Sequence, residues 1–538
     1  MHRFLVGLLP LVFLAAPSLA ETVRFKDRCL ADVVAQVPGI LASQDAKTGR
    51  FGEGIWIAID QNVMLALSAA WSRESASNPY YHSPRVLDAI MAAGDALIAD
   101  ADPDGRWEFR KKDGSTWGQI YQPWTYSRWV RSYVLVRDAM PAERRARWDR
   151  ALRLGYGGIS KELLRGRMAN IPAHHAMGLY IAGKLFGEEA WTRQATEFLH
   201  RVVAAQSADG YWSEHSGPVV TYGYVYSEAL GVYYSASRDT AVLPALAKAA
   251  VFHANFTYPD GTMVETIDER NPYRDVMWIP NTGFTHTPEG RSFLARQLAR
   301  WGSRHLAADE AAQWLLYGEE GEGVDRGPRD SDYDYVLGKG DAAVRRRGPW
   351  YLAVSAFTAP LSNSRWIQDR QNFVSVYHDR TGLILGGGNT KLQPLWSTFV
   401  VGDENLLRHK AGDTNPNFLP PAGLFHVPSA AHLLEGGDFG VGLQYGGSRG
   451  TVKLRVLGPD LLEVVYAGER GMTAHLTALA RADVAMDLPA GARLIPLALP
   501  HDPYRKDGRA EPAQGRVVIE IPMDGREQTV RVRIRSAL

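Results

Sequence analysis

The sequence predicts two domains of different class, a helical ring of the (α/α) toroid type followed by an antiparallel β-sandwich. Residues 54–317 carry apolar side chains at three- and four-residue spacing, which is typical of packed helices. After residue 345 the chain changes to short alternating or apolar runs between Gly, Pro, Asp and Asn turns. A stretch rich in glycine and charge, residues 318–345, separates the two patterns. We therefore expect an incomplete toroid over residues 21–330 and a sandwich over residues 331–538.

The first 20 residues have the pattern of a secretory signal peptide. Arg3 supplies a positive start, residues 4–16 are apolar, and Ser18-Leu19-Ala20 offers small residues at a cleavage site. The apolar run is too short to favour a spanning helix. The sequence therefore predicts an exported protein, periplasmic or secreted, with no membrane insertion.

Composition excludes several function classes. Cys29 is the one cysteine, so neither an intramolecular disulfide nor a thiolate metal cluster can form. The formal net charge of +1 gives no overall electrostatic case for binding nucleic acid. We expect no required cofactor. A structural divalent metal stays open, although the scattered His and Asp residues of the second half show no clean ligand spacing. The oligomeric state is not predicted.

A turn motif recurs between the predicted helices. It places glycine before an aromatic or Met residue, after Asp in three of its four occurrences: Thr48-Gly-Arg-Phe51, Pro103-Asp-Gly-Arg-Trp107, Ala208-Asp-Gly-Tyr-Trp212 and Pro259-Asp-Gly-Thr-Met263. Glycine permits the positive φ of a tight turn, and the following side chain can then tuck beneath it. Recurrent turns between paired helices predict helical hairpins arranged in a ring, with a cleft where the loops converge at one end.

The segment Asn170-Ile-Pro-Ala-His174-His175 carries the first candidate catalytic groups. Asn170 and His174 are spaced i,i+4, so they share one face of a helix. The alternative for Asn170 is a helix N-terminus, because Asn is a favoured cap and Pro172 fits a first turn. For His174 and His175 the alternative is a packed imidazole, and we expect at least one of them to face the cleft.

A second segment, about fifty residues later, adds phenols. Tyr222 lies at the start of a predicted helix, just after a Gly-Pro loop, where its side chain can lean into a cleft. Tyr224 lies off the apolar stripe of that helix, whereas Tyr226 and Tyr233 lie on the stripe and are interpreted as core. We favour Tyr222 as the catalytic phenol, with Tyr224 as the second choice.

An amide, an imidazole and a phenol together suit β-elimination from a uronic acid. The carboxylate of the sugar must be neutralised so that the C5 proton can be removed, and an amide or imidazole can do this by hydrogen bonding. A histidine or a deprotonated phenol can take the proton, and a tyrosine hydroxyl can protonate the departing O4.

Other polar and aromatic residues are candidate contacts for an acidic sugar. Arg270 could pair with a substrate carboxylate through its planar guanidinium, the alternative being an internal pair with Asp268. In the β half, His378 is one of several polar residues that could reach the cleft. The predicted substrate-binding set comprises Gln122, Trp124, Arg128, Glu214, His215, Arg270 and His378.

On these motifs the chain resembles the polysaccharide lyases that join an (α/α) toroid to an antiparallel β-sandwich, which include alginate lyases and heparinase II/III-like enzymes. The matching parts are the Asn/His helix, the stretch Asp209-Gly-Tyr-Trp-Ser-Glu214, the Tyr-rich helix start and Tyr377-His378-Asp379-Arg380. The resemblance implies Asn170 as carboxylate neutraliser, His174 or His175 as base or second neutraliser, and Tyr222 or Tyr224 as base and acid. It implies an acidic polysaccharide or oligosaccharide as substrate.

Three alternatives remain open at this stage. A glycoside hydrolase on the same toroid would need two carboxylates across the cleft, for which Glu214, Glu228, Glu265 and Asp268 are available. A uronate C5-epimerase would share proton removal but return the proton to the other face of the sugar. A carbohydrate-binding protein without activity would use the same residues for binding alone.

Overall fold

The computed structural model describes residues 22–52, 58–112, 114–271, 273–324, 331–364, 369–387, 397–407, 413, 417–496 and 516–535. The predicted signal peptide lies outside these residues. Within them, the first half of the chain is helical and the second half is built of antiparallel strands, as the sequence predicts.

Apolar spacing predicts eight helical segments, and each of them overlaps a helix: Ile55–Trp71, Pro84–Leu97, Tyr121–Met140, Ala173–Phe186, Glu189–Gln206, Val225–Ser235, Thr240–His253 and Arg291–Arg304. Helices α1, α5 and α11 lie outside these segments. The bounds are α1 (Lys26–Ala42), α2 (Met64–Ser72), α3 (Pro84–Asp100), α4 (Pro123–Val136), α5 (Ala142–Arg165), α6 (Asn170–Phe186), α7 (Glu189–Ala204), α8 (Val220–Ser237), α9 (Leu243–Asn255), α10 (Pro288–Trp301) and α11 (Ala308–Tyr317).

The helices form two concentric layers. On the inside, α2 packs against α4, α4 against α6 and α6 against α8, while α11 contacts both α8 and α2. On the outside, α3 packs on α2, α5 and α7 on α6, and α9 on α8. Inner helices such as α2 are buried nearly all round, whereas outer helices such as α7 bury one stripe. This is the arrangement of an (α/α) toroid.

The recurrent turns work as the sequence predicts. Gly105 and Gly210 have φ values of +86° and +93°, a conformation that strains any residue with a Cβ. The tryptophans that follow them, Trp107 and Trp212, are 1% and 2% exposed. Their indole N–H groups donate to the carbonyls of Leu97 at 2.9 Å and Val202 at 2.8 Å, near the ends of the preceding outer helices. In both turns the tryptophan therefore anchors the residues after the turn to the outer helix that precedes it.

The strands run from the N-terminus of the described chain to its end, and most lie beyond residue 330. They are β1 (Thr22–Val23), β2 (Trp107–Arg110), β3 (Thr116–Ile120), β4 (Gly321–Glu322), β5 (Tyr333–Leu337), β6 (Ala342–Arg347), β7 (Trp350–Ser355), β8 (Val374–His378), β9 (Gly382–Leu385), β10 (Phe399–Val401), β11 (Ala430–Leu433), β12 (Phe439–Tyr445), β13 (Ser448–Gly458), β14 (Leu461–Gly468), β15 (Met472–Leu479), β16 (Val484–Asp487), β17 (Arg493–Pro496), β18 (Arg516–Pro522) and β19 (Gln528–Ile534).

Two large sheets make up the second half. One has nine strands in the order β17-β18-β15-β9-β8-β7-β6-β5, with β10 also paired to β15, and the other has six in the order β11-β12-β13-β14-β19-β16. All pairs within them are antiparallel. Alternate residues of the nine-stranded sheet, such as Trp350 and Leu352, pack against the six-stranded sheet to form the sandwich core.

The opposite face of the nine-stranded sheet packs on the toroid. Tyr351 and Tyr377 of this face meet Phe252, Phe256 and Tyr258 of the helical domain in a third apolar cluster. The sheet therefore packs against the C-terminal end of α9 and the residues that follow it, and brings loops of the second domain to the toroid. None of the helices among the described residues is both long and apolar enough to cross a bilayer.

Candidate active site

Helix α6 begins at Asn170, and the asparagine side chain points away from its own helix end. The residue before it, Ala169, has extended backbone and makes no side-chain cap. The Asn170 amide nitrogen instead donates to Glu214 Oε1 at 3.1 Å. Pro172 in the first turn costs the helix nothing, because its missing N–H would have no intrahelical acceptor there. Asn170 is half-buried, so its amide is fixed and still reachable.

The same oxygen of Glu214 also accepts a hydrogen bond from Tyr226 at 2.9 Å. The Tyr226 ring is 2% exposed and stacks on Trp212, with ring centroids 5.0 Å apart. Burial and the adjacent Glu214 carboxylate raise the pKa of Tyr226, so this phenol keeps its proton. Glu214 thus ties the start of α6 to α8, and Tyr226, interpreted from sequence as core, has its hydroxyl in the candidate site.

Tyr222 lies one helical turn before Tyr226, on the same face of α8 and in its first turn. It is half-buried, unlike the other tyrosines of this helix start. The Arg270 guanidinium lies over its ring, 5.1 Å from the centroid. Among the described residues Arg270 forms no ion pair; Asp268 accepts its backbone N–H at 2.7 Å rather than its side chain. A guanidinium beside an accessible phenol places a cation where an acidic ligand could bind.

His215 is held beside this group by Glu269. The loop of residues 213–218, here the site loop, is closed by a bridge between Ser213 and Pro218. Glu269 Oε1 accepts the His215 backbone N–H at 3.0 Å and lies 3.3 Å from its Nδ1, while Oε2 accepts the Ser216 N–H at 2.6 Å. With Nδ1 facing a carboxylate, the Nε2 atom is left for a ligand.

Asp268 positions the start of α8 itself. Val219, at the N-cap, has no side-chain acceptor, and Asp268 Oδ2 accepts the Val220 N–H at 2.8 Å in its place. The other oxygen accepts the N–H groups of Arg270 and Asn271. A carboxylate is favoured at a helix N-terminus because the unsatisfied N–H groups carry partial positive charge. Residues 265–271, here the bridging segment, are therefore built onto the helix that carries Tyr222.

The structure does not bring His174 or His175 to this group. His174 is 0% exposed, beside Arg128 and Glu228 inside the ring, and His175 is 5% exposed with Nε2 2.7 Å from the Tyr121 carbonyl. The expectation that one of them faces the cleft is not met. They lie on the inner side of α6, which packs against α4 and α8, and His215 is the imidazole that lies with the site loop.

Tyr224 is not part of the group either. It is 5% exposed and packs edge-on against His253 and near Trp278 and Phe284. Burial raises the pKa of this phenol. Its position two residues from Tyr222 turns it by about half a helical turn, toward the outer layer.

The three substrate contacts predicted at the start of α4 differ in how accessible they are. Arg128 is 4% exposed and pairs with Glu228 at 2.9 Å and Asp309 at 2.7 Å, so its charge is already satisfied inside the ring. Gln122 is also buried, at the start of α4, with its amide oxygen unpartnered among the described residues. Trp124 is half-buried, 6.0 Å from the His174 ring. Trp124 alone of the three retains accessible surface for a sugar.

His378 faces away from the toroid. On β8 its neighbour Tyr377 stacks on Tyr258 of the helical domain, with centroids 5.0 Å apart. Because alternate strand residues point to opposite faces, His378 lies on the sandwich side, against Trp350 and 3.1 Å from the Pro459 carbonyl. Asn389, Lys391, Gln393 and His409, the other polar candidates of this half, lie outside the described residues.

The four carboxylates available to a hydrolase are each engaged in internal contacts. Glu214 binds Asn170 and Tyr226, and Glu228 pairs with Arg128. Glu265 is 2% exposed and accepts from Tyr258, Ser375 and Gly387, and Asp268 is 2% exposed at the start of α8. An inverting or retaining pair needs two carboxyl groups that face the same open cleft, and this arrangement does not favour one.

Among the described residues, one group has the ligand atoms to hold a metal ion. Glu404, His475 and Glu520 bring a ligand atom each within 4.8 Å of one another, on the sandwich domain. His475 pairs with Glu404 at 2.9 Å and Arg493 with Glu520 at 2.7 Å. Both carboxylates thus have partners within the protein, and the absence of a required cofactor stays a prediction.

Buried imidazoles make the fold sensitive to acid. Burial lowers the pKa of His175 to about 4 and that of His253 to about 3, against a usual value near 6.5 in the unfolded chain. Between the folded-state pKa values and 6.5, the unfolded chain binds more protons than the folded protein. The free energy of unfolding is therefore highest above pH 6.5 and falls as the pH decreases. We expect urea unfolding to show a loss of about 1.4 kcal/mol per pH unit for each imidazole. His253→Gln should flatten this slope between pH 6 and pH 4, and an unchanged slope would contradict the assignment.

Comparisons with known proteins support the fold. No family model matches the chain, and no curated protein matches it. Among solved structures, a mutant of chondroitin AC lyase from Streptomyces coelicolor A3 is 15% identical with a TM-score of 0.54, covering 99% of this chain and 81% of the other. Heparinase III is 14% identical, TM-score 0.53, covering 89% and 77%. Xanthan lyase from Paenibacillus is 11% identical, TM-score 0.53, covering 95% and 57%.

These similarities extend over nearly the whole described chain and include both domains in the same order. At identities of 15% or less they bear on architecture. The predicted fold, a helical toroid followed by antiparallel β-sheets, is confirmed: the chain has the architecture of these solved lyases.

Proposed function

We propose that the protein is a polysaccharide lyase that cleaves a uronic-acid-containing chain by β-elimination. The observation that carries the proposal is the convergence of an accessible phenol, Tyr222, with the fixed Asn170 amide and the Arg270 guanidinium, which forms no ion pair within the part of the chain that the structure describes. The solved proteins with this architecture are named chondroitin AC lyase, heparinase III and xanthan lyase, which adds support.

The chemistry asks for three roles. Arg270 and Asn170 bind the uronate carboxylate and stabilise the negative charge that develops when C5 loses its proton. Tyr222, acting as the phenolate, takes that proton. The electron pair of the C5–H bond forms the C4–C5 double bond, and the C4–O4 bond breaks. The departing O4 takes a proton from an acid in the site, for which the Tyr222 hydroxyl just formed is suited.

His215 completes the group as a second donor to the carboxylate or to the sugar ring. Its Nδ1 faces Glu269 at 3.3 Å, which orients the ring. Trp124 offers an apolar surface for a neighbouring sugar. The product carries a 4,5-unsaturated uronate at its new non-reducing end.

We also propose that the enzyme acts outside the cytoplasm, on an acidic polymer or oligomer. The leader-like first 20 residues support export. Cys29, the one thiol, is 0% exposed, so an oxidising compartment has no accessible thiol to modify among the described residues.

A substrate panel tests the proposal. Alginate, glucuronan, hyaluronan, chondroitin and heparin-type chains should be incubated with the purified protein and followed by near-ultraviolet absorbance, since the conjugated double bond absorbs there. We expect absorbance to rise with at least one polymer and a 4,5-unsaturated end to appear by mass spectrometry. New reducing ends without absorbance would indicate hydrolysis, and a changed C5 configuration without cleavage would indicate epimerisation.

A further inference from the structure

We infer that Arg370, which belongs to the β domain, is a positioning residue for the active site, because its guanidinium fastens together the two segments that carry His215 and Arg270. This inference rests on the proposed function for its kinetic consequences. Arg370 lies four residues before β8 in a run of polar residues, Asp369-Arg370-Gln371-Asn372, which the sequence pattern assigned no role.

The contacts of Arg370 reach both segments at once. Its side chain is 0% exposed. Nη1 donates to the carbonyl of Ile267 in the bridging segment, and Nη2 donates to the carbonyl of Ser216 in the site loop at 3.3 Å. The guanidinium plane lies over Phe357, 5.1 Å from the ring centroid. One rigid fork thus sets the spacing of two loops that have no common secondary structure.

The charge of Arg370 is needed where it lies. Asp268 and Glu269 are 2% and 3% exposed, and between them they hold the start of α8 and the site loop. Burial lowers the pKa of Arg370 to about 10, while Glu269 and Asp268 act in the opposite direction, so the guanidinium stays charged at neutral pH. Two buried carboxylates without a nearby cation would be costly and would tend to protonate.

The site loop is shaped to admit the guanidinium. Gly217 has a φ of +132°, and a Cβ placed on it would lie 2.6 Å from Arg370 Nη2 and 3.0 Å from the Phe357 ring. Only glycine provides both the backbone conformation and the space. The close approach indicates that loop and arginine form one packed unit.

Further hydrogen bonds fix the position of the bridging segment relative to the nine-stranded sheet. Glu265 accepts hydrogen bonds from the Ser375 hydroxyl at 2.7 Å and from the Gly387 N–H at 3.1 Å. Just beyond the segment, the Tyr273 N–H donates to the Gly387 carbonyl at 3.1 Å. The position of Arg270 over Tyr222 is therefore decided by the sandwich as well as by the toroid. The active site is assembled by docking of the two domains, and Arg370 contacts the site loop from the second domain.

The test compares Arg370→Ala with Arg346→Ala. Arg346 is a matched control, because it is also buried, at 3% exposed, lies in β6 of the same domain, and pairs with Asp379 rather than with the site loop or the bridging segment. On a polymer that the wild-type protein cleaves, Arg370→Ala should lower kcat/KM by about 100-fold, the usual cost of misplacing catalytic groups by an ångström. Arg346→Ala should lower the melting temperature and leave kcat/KM of the folded fraction unchanged.

Guanidinium ion at a non-denaturing concentration should restore part of the activity of Arg370→Ala, because it can refill the cavity left by the missing side chain. Urea or sodium chloride at the same concentration should not restore it.

Hydrogen exchange should be faster in residues 213–222 and 265–271 of Arg370→Ala than in the wild type, and unchanged there in Arg346→Ala. The inference is overturned if exchange in these segments is unaltered, or if kcat/KM is unaltered in an active protein, or if guanidinium and urea act alike. If the wild-type protein cleaves no polymer, the proposed function fails, and the exchange result alone decides the role of Arg370.

Discussion

Replacing Tyr222 with phenylalanine is expected to lower kcat by at least about 100-fold, the usual contribution of a general acid–base group. The change removes one oxygen and keeps the ring beneath Arg270, so substrate binding and folding should be nearly unaffected. KM should change little, because the lost hydroxyl acts in the transition state for proton transfer rather than in binding the sugar. Initial rates from ultraviolet absorbance, at saturating and limiting polymer, separate the two constants.

Tyr224→Phe is the matched control for that experiment. It makes the same chemical change two residues away, on a ring that is 5% exposed and packed against His253. It should retain kcat within a factor of about three, while the free energy of unfolding changes by about 1 kcal/mol through loss of the hydroxyl. A Tyr222→Phe protein with wild-type kcat would remove Tyr222 from the mechanism. Loss of kcat in Tyr224→Phe without unfolding would move the catalytic phenol to Tyr224.

Asn170→Ala is expected to lower kcat/KM by about 100- to 1,000-fold, the range for removing one donor to a developing anion. The amide is fixed by Glu214 Oε1 at 3.1 Å, so it is already oriented before substrate binds. Without it, the charge that spreads onto the uronate carboxylate as C5 loses its proton has one donor fewer. Rates with the same polymer, over a range of concentrations, give the value.

The stability of Asn170→Ala must be measured alongside its rate, since an asparagine at a helix start can also act as a cap. Here the asparagine side chain makes no cap, and α6 begins after Ala169 without one. We therefore expect only a small decrease in melting temperature. Asn170→Asp, which keeps the shape but adds a negative charge opposite the substrate carboxylate, should be at least as impaired as Asn170→Ala. Wild-type kcat/KM in both variants would exclude Asn170 from the site.

The helical half could be predicted in outline because its signals are local. Apolar spacing located the segments that became α3, α6 and α7, and the glycine turns at Gly105 and Gly210 marked the ends of hairpins. Helix α5 was missed. Its sequence is rich in arginine and glycine, and it buries a narrow stripe that includes Trp148 and Tyr156. Its stability comes from packing on α3 and α6 rather than from its own pattern.

The candidate site was predicted in part. Asn170, Tyr222, Glu214, His215 and Arg270 were all singled out from sequence, since each lies next to a turn or a helix start, where side chains of a toroid line its open end. The prediction that His174 or His175 faces the cleft is wrong, because both lie on the inward face of α6 and are buried. Helical spacing says which residues share a face, but not which face meets solvent.

What the sequence by itself determined is the kind of protein: two domains of different class and a set of amide, imidazole, phenol and guanidinium groups near helix starts. These follow from periodicity and from turn chemistry, which act over a few residues. Only the tertiary structure decided which histidine is accessible, that Arg270 lies over Tyr222, and that Arg370 reaches across from the other domain. Such contacts join residues that lie 48, 103 and 154 positions apart in the sequence, or depend on which side of a helix is covered. Packing of the whole chain sets both.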